Sequence, residues 1–517
     1  MPRGPSRCHF RPVVSLLFCG CLVLAARDGE LPAQEATGLS AALALEQTFA
    51  KVIEETEPSV VSIARDRLRP SRMSELDEFE GLQPRMGLLP DRNDISSPSY
   101  IPNEFGTGIV IGADGLILTN YRLVRGGPVE GKAGAGEQNL YVRLWDRRGF
   151  PARIHAADPR SDLAVLKIDA TGLKPIKLGN SSRLKKGHLV LSLGNPYAIA
   201  RDGSASASWG IISNIGRQAH LDIDPTDQEE HKKQTIHHLG TLLQLDMRLN
   251  LGTSGAPLLN LQGEMVGLTT SLAAIVGYEK SSGFGVPVDD AMLRVIDTLA
   301  KGQEVEYGFL GVRMSTNDAM SPEEQRLIHE RFGQYGGARI STVLTNSPAY
   351  QAGLMNNDVV LGVNGDPVYS GTDLTREIGL VAPGEKARLR VWRNFESHDM
   401  TVEVTVGKWP VQDDEGIIAT HRRYEPWRGL VVDFTTARYR HLPLRFLGRD
   451  LPAGVLVLEV EPGTPAGLTG LQTGDFITHV NGMPVKTPKQ FYDAVRPLKG
   501  DVALSVFEGQ PVKIKAP

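Results

Sequence analysis

The chain has 517 residues and a formal net charge of −4, from 56 Lys+Arg against 60 Asp+Glu, so no basic excess points to nucleic acid. A hydrophobic share of 41% and a charged share of 22% are those of ordinary globular protein, with ample material for cores. At about 100–200 residues per domain the length predicts three or four domains. The 55 glycines and 33 prolines favour short strands joined by turns.

Residues 1–26 read as a secretory signal. Arg3, Arg7 and Arg11 form a basic start, Pro12 to Ala26 an apolar stretch too short to span a bilayer comfortably, and Leu24-Ala25-Ala26 a small-residue cleavage site. An uncleaved membrane anchor is the alternative. Its removal takes three arginines and no acid, so the net charge becomes −4 − 3 = −7. All three cysteines (Cys8, Cys19, Cys21) lie in this segment. The mature chain then has none, which excludes disulfides, thiol catalysis and cysteine-ligated metal. An export signal without disulfides fits a bacterial periplasm or cell envelope.

Residues 27–45 read as a linker. Glu46 to Glu57 has helical spacing (Phe49, Val52, Ile53) and leads into a strand at Val60-Val61-Ser62-Ile63. The stretch 66–105 is charged and carries Pro70, Pro84, Pro90, Pro98 and Pro102, which predicts a mobile loop or insertion. Gly106 to Ile111 and Leu116 to Asn120 flank Ala113-Asp114-Gly115, a hairpin signal. Further strands are predicted at Leu140–Leu144, at Leu163–Ile168 with Asp162 at its mouth, at Leu189–Leu193, Trp209–Ser213, Leu242–Asp246 and Glu264–Leu268, and around Gly283–Pro287. Val288 to Leu299 reads as a closing amphipathic helix. His231, His237 and His238, in or near the charged run Gln228 to Lys233, read as part of a solvated loop rather than a metal site.

The motif that organises this region is Gly252-Thr253-Ser254-Gly255-Ala256-Pro257. A serine hydroxyl needs a base for its proton and donors for the oxyanion it forms. The two glycines suit a tight turn in which the N–H groups of Gly252 and Ser254 serve as those donors. Together, G-T-G-I-V-I, L-T-N-Y-R-L-V, D-L-A-V-L-K-I, L-G-N-P-Y, G-I-I-S and G-T-S-G-A-P resemble the successive signatures of HtrA/DegP-type trypsin-like serine proteases. The resemblance implies a mainly β fold, a chymotrypsin/trypsin-like pair of six-stranded β-barrels over residues 46–304, with the site in the cleft between them. By resemblance Ser254 is the nucleophile and Asp162 the orienting carboxylate. The family's histidine falls in a T-N-x-H segment, here Thr119-Asn120-Tyr121-Arg122, so Arg122 occupies the histidine position. A guanidinium stays protonated, has no lone pair to accept the serine proton, and would pair with Asp162 as a bidentate partner. Tyr121 points away if the stretch is extended, and His155 and His188 match no motif position. Ala256 departs from a second glycine usual in the family.

The C-terminal half is a repeat at an offset of 117: Ser347-Pro348-Ala349 with Thr464-Pro465-Ala466, Gly353-Leu354 with Gly470-Leu471, Asp358 with Asp475, and Val363-Asn364-Gly365 with Val480-Asn481-Gly482. The pattern resembles PDZ domains, small α+β sandwiches, at 305–408 and 425–517, with 409–424 as linker. By resemblance, loops at Phe309, Leu310, Gly311 and Val312 and at Gly429, Leu430, Val431 and Val432 offer N–H groups to a peptide's terminal carboxylate. The expected protein is an exported member of envelope quality control, without cofactor or metal, binding unfolded polypeptides or C-termini, with impaired or absent proteolysis. A homo-oligomer built from trimers is implied by the resemblance. The alternatives are an active endopeptidase with a non-standard base, or a scaffold subunit of a mixed oligomer.

Overall fold

The computed structural model describes residues 33–67, 102, 104–127, 129–131, 138–195, 203–218, 235–247, 249–250, 252–270, 283–314, 320–393, 399–411, 416–441 and 453–516. The stretch 1–26 that was read as a signal, the proline-rich stretch 68–101, His231 and the run Gln228 to Lys233 lie outside them.

Helix α1 (Ala33–Thr56) begins well before Glu46. Ala41, Ala42, Leu43, Ala44 and Leu45 are strong helix formers, and propensity extends the helix beyond the apolar stripe that the sequence displays. Strand β1 (Val60–Arg67) follows, so Asp66 and Arg67 belong to a strand rather than to the insertion. Next come β2 (Glu104–Gly112), which takes Glu104 and Phe105 from the insertion, β3 (Leu116–Asn120), the short helix α2 (Tyr121–Val124), β4 (Gln138–Arg143), β5 (Gly149–Asp158) and β6 (Leu163–Ile168). They pair in the order β5-β4-β1-β2-β3-β6, and β5 also pairs with β6, which closes a six-stranded barrel. A second closed barrel runs β10-β11-β12-β9-β8-β7. Its strands are β7 (Leu189–Gly194), β8 (Ser206–Arg217), β9 (Leu242–Asp246), β10 (Pro257–Leu259), β11 (Met265–Thr270) and β12 (Gly283–Pro287). Helix α3 (Asp290–Ala300) ends the region, its N-terminus capped by the Asp289 carboxylate.

Each barrel has its own apolar filling, Ile63, Val110 and Ile117 in the first and Val190, Leu243 and Leu258 in the second. A third cluster joins them: Ile109, Leu118 and Val165 from the first barrel meet Leu191, Leu259 and Leu268 from the second, together with Val295 and Leu299 of α3. Burying side chains of this size contributes about 1.5–3 kcal/mol each, so the two barrels are held face to face and the cleft between them is fixed.

The repeated half forms two sheets of one design. In the first copy the strands run Val312–Met314, Ala338–Val343, Val359–Val363, Lys386–Trp392, Met400–Thr405, and in the second Leu430–Phe434, Val455–Val460, Phe476–Val480, Val502–Val506, Val512–Ile514. Equivalent residues do equivalent work. The Asp358 carboxylate accepts the N–H of Met355, and that of Asp475 accepts the N–H of Gln472, each at 2.8 Å. In each copy the first strand lies at the sheet edge. In the first copy the helix Pro322–Phe332 opens with a capping box: Ser321 Oγ accepts from the Glu324 N–H while Glu324 accepts from the Ser321 N–H.

The stretch read as a linker is docked at several points. Ile418 and Ala419 add a strand to β5, the N–H groups of Thr420 and His421 donate to Gly302 O, and the Tyr424 ring stacks on Tyr492 at 4.5 Å. Beside it, the buried Lys408 ammonium meets Glu304, Glu306 and Asp433 at 3.0–3.2 Å, joining the end of the barrel region to both repeats.

Candidate functional site

The Ser254 turn is shaped by two glycines in the left-handed region, Gly252 (φ 88) and Gly255 (φ 86). A Cβ on Gly252 would lie 2.2 Å from Asn195 O, and one on Gly255 2.1 Å from Thr107 O, so neither position admits a side chain. Thr107 fastens the turn from β2: its N–H donates to Ser254 O at 2.9 Å and its hydroxyl to Gly252 O at 2.8 Å. From β11, Thr269 O accepts the Gly255 N–H and Thr269 Oγ1 accepts the Ala256 N–H, each at 3.0 Å. Ala256 is fully buried, so its methyl is accommodated where a glycine is usual in the family. Among the described residues no acceptor meets the N–H of Gly252 or of Ser254, and Ser254 Oγ makes no hydrogen bond.

Asp162 sits at the mouth of β6 with φ 55, a conformation that Asp tolerates better than most residues. Its carbonyl accepts the Tyr121 N–H at 2.8 Å, which ties the mouth of β6 to the start of α2. The carboxylate, 2% exposed, accepts from Arg122 Nε at 3.0 and 3.2 Å, from the Arg122 N–H at 3.2 Å and from Thr270 Oγ1 at 3.4 Å. Burial pushes the Asp162 carboxyl above its ordinary range, against the pull of the Arg122 charge and of these hydrogen bonds.

The sequence led to a bidentate fork between Arg122 and Asp162. The structure instead has Nε alone shared by both carboxylate oxygens. Arg122 lies on a single helical turn, and its own N–H already reaches Asp162 Oδ1, so the side chain meets the carboxylate by its flank. Among the described residues neither Nη makes a hydrogen bond.

No histidine takes the vacant role among the described residues. His155 Nδ1 lies 2.6 Å from Glu130 Oε2 and Nε2 3.2 Å from Ala300 O, and exposed His188 has no side-chain bond to Asp162 or Ser254. The Tyr121 hydroxyl lies against Gly416, although Tyr121 begins a helix and is not extended. His237 and His238 correct the expectation of a solvated loop. They sit in a 3₁₀ turn (Ile236–Leu239) with a capping box at Thr235. His237 is fully buried, its Nε2–H donating to Ser161 O at 2.8 Å and its Nδ1 2.6 Å from Thr241 Oγ1. Burial lowers its pKa to about 4, so the ring is neutral, and both nitrogens are already engaged. Thr107, Thr269 and Thr270 were not singled out in the sequence, and His237 was given no part in the site. Each acts through a partner more than 70 residues away or through a backbone group, which leaves no local pattern.

In the first repeat, Leu310 O accepts the Ala349 N–H and Gly311 O the Leu344 N–H. In the second, Arg428 O accepts from Ala466 and Gly429 O from Glu461. Leu310-Gly311-Val312 therefore corresponds to Arg428-Gly429-Leu430, one residue off the offset seen elsewhere. Phe309 pairs with Gly407, and Val312 with Val343. Among the described residues the N–H groups of Leu310 and Gly311 have no acceptor. The second loop differs. Leu430 and Trp427 exchange both backbone bonds at 2.9 Å, and the Val432 N–H donates to Tyr492 Oη at 3.3 Å. Val431 belongs to the same edge strand. The Arg428 guanidinium is held by the carbonyls of Ile514, Lys515, Leu498 and Gly500.

Family profiles match a trypsin-like peptidase domain over residues 106–268 and PDZ domains over 308–406 and 456–506. Proteins described as probable periplasmic serine endoprotease DegP-like are similar along most of the chain. One from Pseudomonas putida strain F1 is 31% identical over 474 residues, covering 89% of this chain and 90% of that protein. Those from Pseudomonas savastanoi pv. phaseolicola and Ectopseudomonas mendocina are each 32% identical with the same coverage. A solved HtrA-type protease, AlgW with a tripeptide, aligns at a TM-score of 0.47 and 24% identity over 70% of this chain and 98% of that one.

Proposed function

The chain belongs to the DegP-like family of periplasmic serine endoproteases, and from that membership we propose that it works in the periplasm by binding unfolded polypeptides, with proteolysis impaired or absent. The observation that carries this reading is the pairing of Asp162 with Arg122 Nε. In the Ser–His–Asp mechanism the carboxylate orients an imidazole, and the imidazole takes the serine proton and returns it to the leaving amine. A guanidinium on the same carboxylate donates only, so it can neither deprotonate Ser254 nor cycle a proton. What remains is a serine without a base, beside two amides fit for an oxyanion. Such a remnant retains about 10³–10⁴-fold over water, negligible for peptide turnover.

Polypeptide capture then falls to the PDZ domains. The first has the better-supported loop, since the Leu310 and Gly311 amides have no acceptor among the described residues and the adjoining strand lies at the sheet edge. The second spends the Leu430 and Val432 amides internally. A homo-oligomer and export through residues 1–26 are part of the same proposal.

The deciding experiment incubates the mature protein, Arg122→His and Ser254→Ala with an unfolded model substrate and follows cleavage by gel electrophoresis. Wild type and Ser254→Ala are expected to be inert, and Arg122→His to gain cleavage. Cleavage by wild type that Ser254→Ala abolishes would mean that another residue supplies the base and that the chain is a working protease.

A further inference from the structure

We propose that the cleft between Arg122 and the Gly252–Ser254 turn is a binding site for the free C-terminal carboxylate of a peptide, with the guanidinium and the two turn amides as its donors. The proposal rests on the reading of Arg122 as a residue that does not take part in catalysis, and it gives the remnant site a ligand.

Two sets of donors border this cleft. On one side, Arg122 uses only Nε on Asp162, its side chain is 29% exposed, and among the described residues neither Nη is hydrogen-bonded. On the other, the N–H groups of Gly252 and Ser254 lack an acceptor among the described residues, while the Thr253 N–H between them is spent on Asn250 O at 3.1 Å. The two sides meet at Gly106. The point that a Cβ there would occupy is 2.4 Å from a Leu123 methyl carbon and 3.2 Å from Ser254 O, so Arg122's neighbour and the serine flank the same glycine. They also meet through β11, where Thr270 reaches Asp162 while the adjacent Thr269 holds Gly255 and Ala256.

The chemistry selects a carboxylate. The two Nη groups of a guanidinium match the two oxygens of a planar anion, and backbone amides in a turn take the lone pairs left over. The amide bond of an intact chain offers one neutral carbonyl oxygen and gains little from a fixed cation. Peptide hydrolysis at this position, with the acyl group passed to the serine and then to water, would leave a new carboxylate beside the serine. Replacing imidazole by guanidinium therefore turns a cutting site into one that holds the end of a chain already cut.

The test uses the mature full-length protein and a short apolar peptide with a benzophenone side chain next to its C-terminal residue, made as the free acid and as the amide. After irradiation, adducts are mapped by mass spectrometry. The free acid is expected to label residues 105–123 or 252–256 as well as the loop at residues 307–312. Amidation or Arg122→Gln is expected to cut the cleft adducts by about tenfold or more, the scale of a lost charge-assisted pair. Arg122→Lys, which keeps the charge without the fork, is expected to fall between. Adducts confined to residues 307–312, or cleft adducts indifferent to amidation, overturn the site without relying on any variant's folding. Cleavage assays on the same samples separate the two ideas. Gain of cleavage in Arg122→His without carboxylate-dependent cleft adducts sinks this site alone. Ser254-dependent cleavage by wild type sinks the reading beneath it.

Discussion

At the scale of single residues, the site is governed by what a buried side chain can do with a proton. His237 is buried against the Ser161 carbonyl and neutral, with its pKa lowered by burial from 6.5 to about 4. Between those values the unfolded chain binds a proton that the folded chain refuses. Stability is therefore complete above about 6.5, falls as the pH drops through that window, and levels off below about 4, for a loss of about 3 kcal/mol in all. Urea unfolding at pH 7.5 and 4.5 is expected to show this loss, and His237→Gln to remove most of the difference. An unchanged difference in the variant would assign the acid sensitivity to other groups. Arg122 and Ser254 were legible in the sequence because each lies in a short motif with a fixed spacing. The burial of His237 was not, because its partner Ser161 O comes from a different barrel strand's approach.

At the scale of elements, the two repeats share strand order yet differ at the edge strand that a peptide would join. In the second, helix Pro488–Val495 places the Tyr492 hydroxyl on the Val432 N–H. Tyr492→Phe keeps the ring and its stacking on Tyr424 but leaves that buried N–H unpaired, at a cost of about 1–3 kcal/mol. A lower Tm by calorimetry is the expected result, and no change would mean that water takes over the bond. The duplication itself was plain from the offset of 117. The one-residue shift of the Arg428-Gly429-Leu430 loop was not, since only the carbonyl partners Ala349 and Ala466 reveal which residues correspond.

At the scale of the whole molecule, Lys408 is the joint between the barrel region and both repeats. Its ammonium is 3% exposed and meets three carboxylates. Lys408→Met would take the ammonium from among Glu304, Glu306 and Asp433, leaving Arg423 Nε at 3.5 Å on Glu306, and removing one partner of a buried ion cluster costs about 3–5 kcal/mol. Limited proteolysis is expected to cut the variant faster between residues 409 and 424, and adding Asp433→Asn to restore part of the protection. Equal cleavage of wild type and variant would show that the joint is held by other contacts. The sequence by itself determined the strands, the glycine turns, the duplication and the placing of Arg122 two residues after Asn120 in its motif, because alternation, turn residues and motif spacing are local properties. Only the tertiary structure decided that β5 closes on β6, that Ile418 and Ala419 dock on β5, and that Arg122 offers Nε rather than its fork. These choices depend on which distant partner arrives and from what direction, and such information is spread over the whole packed chain rather than written in any one stretch of it.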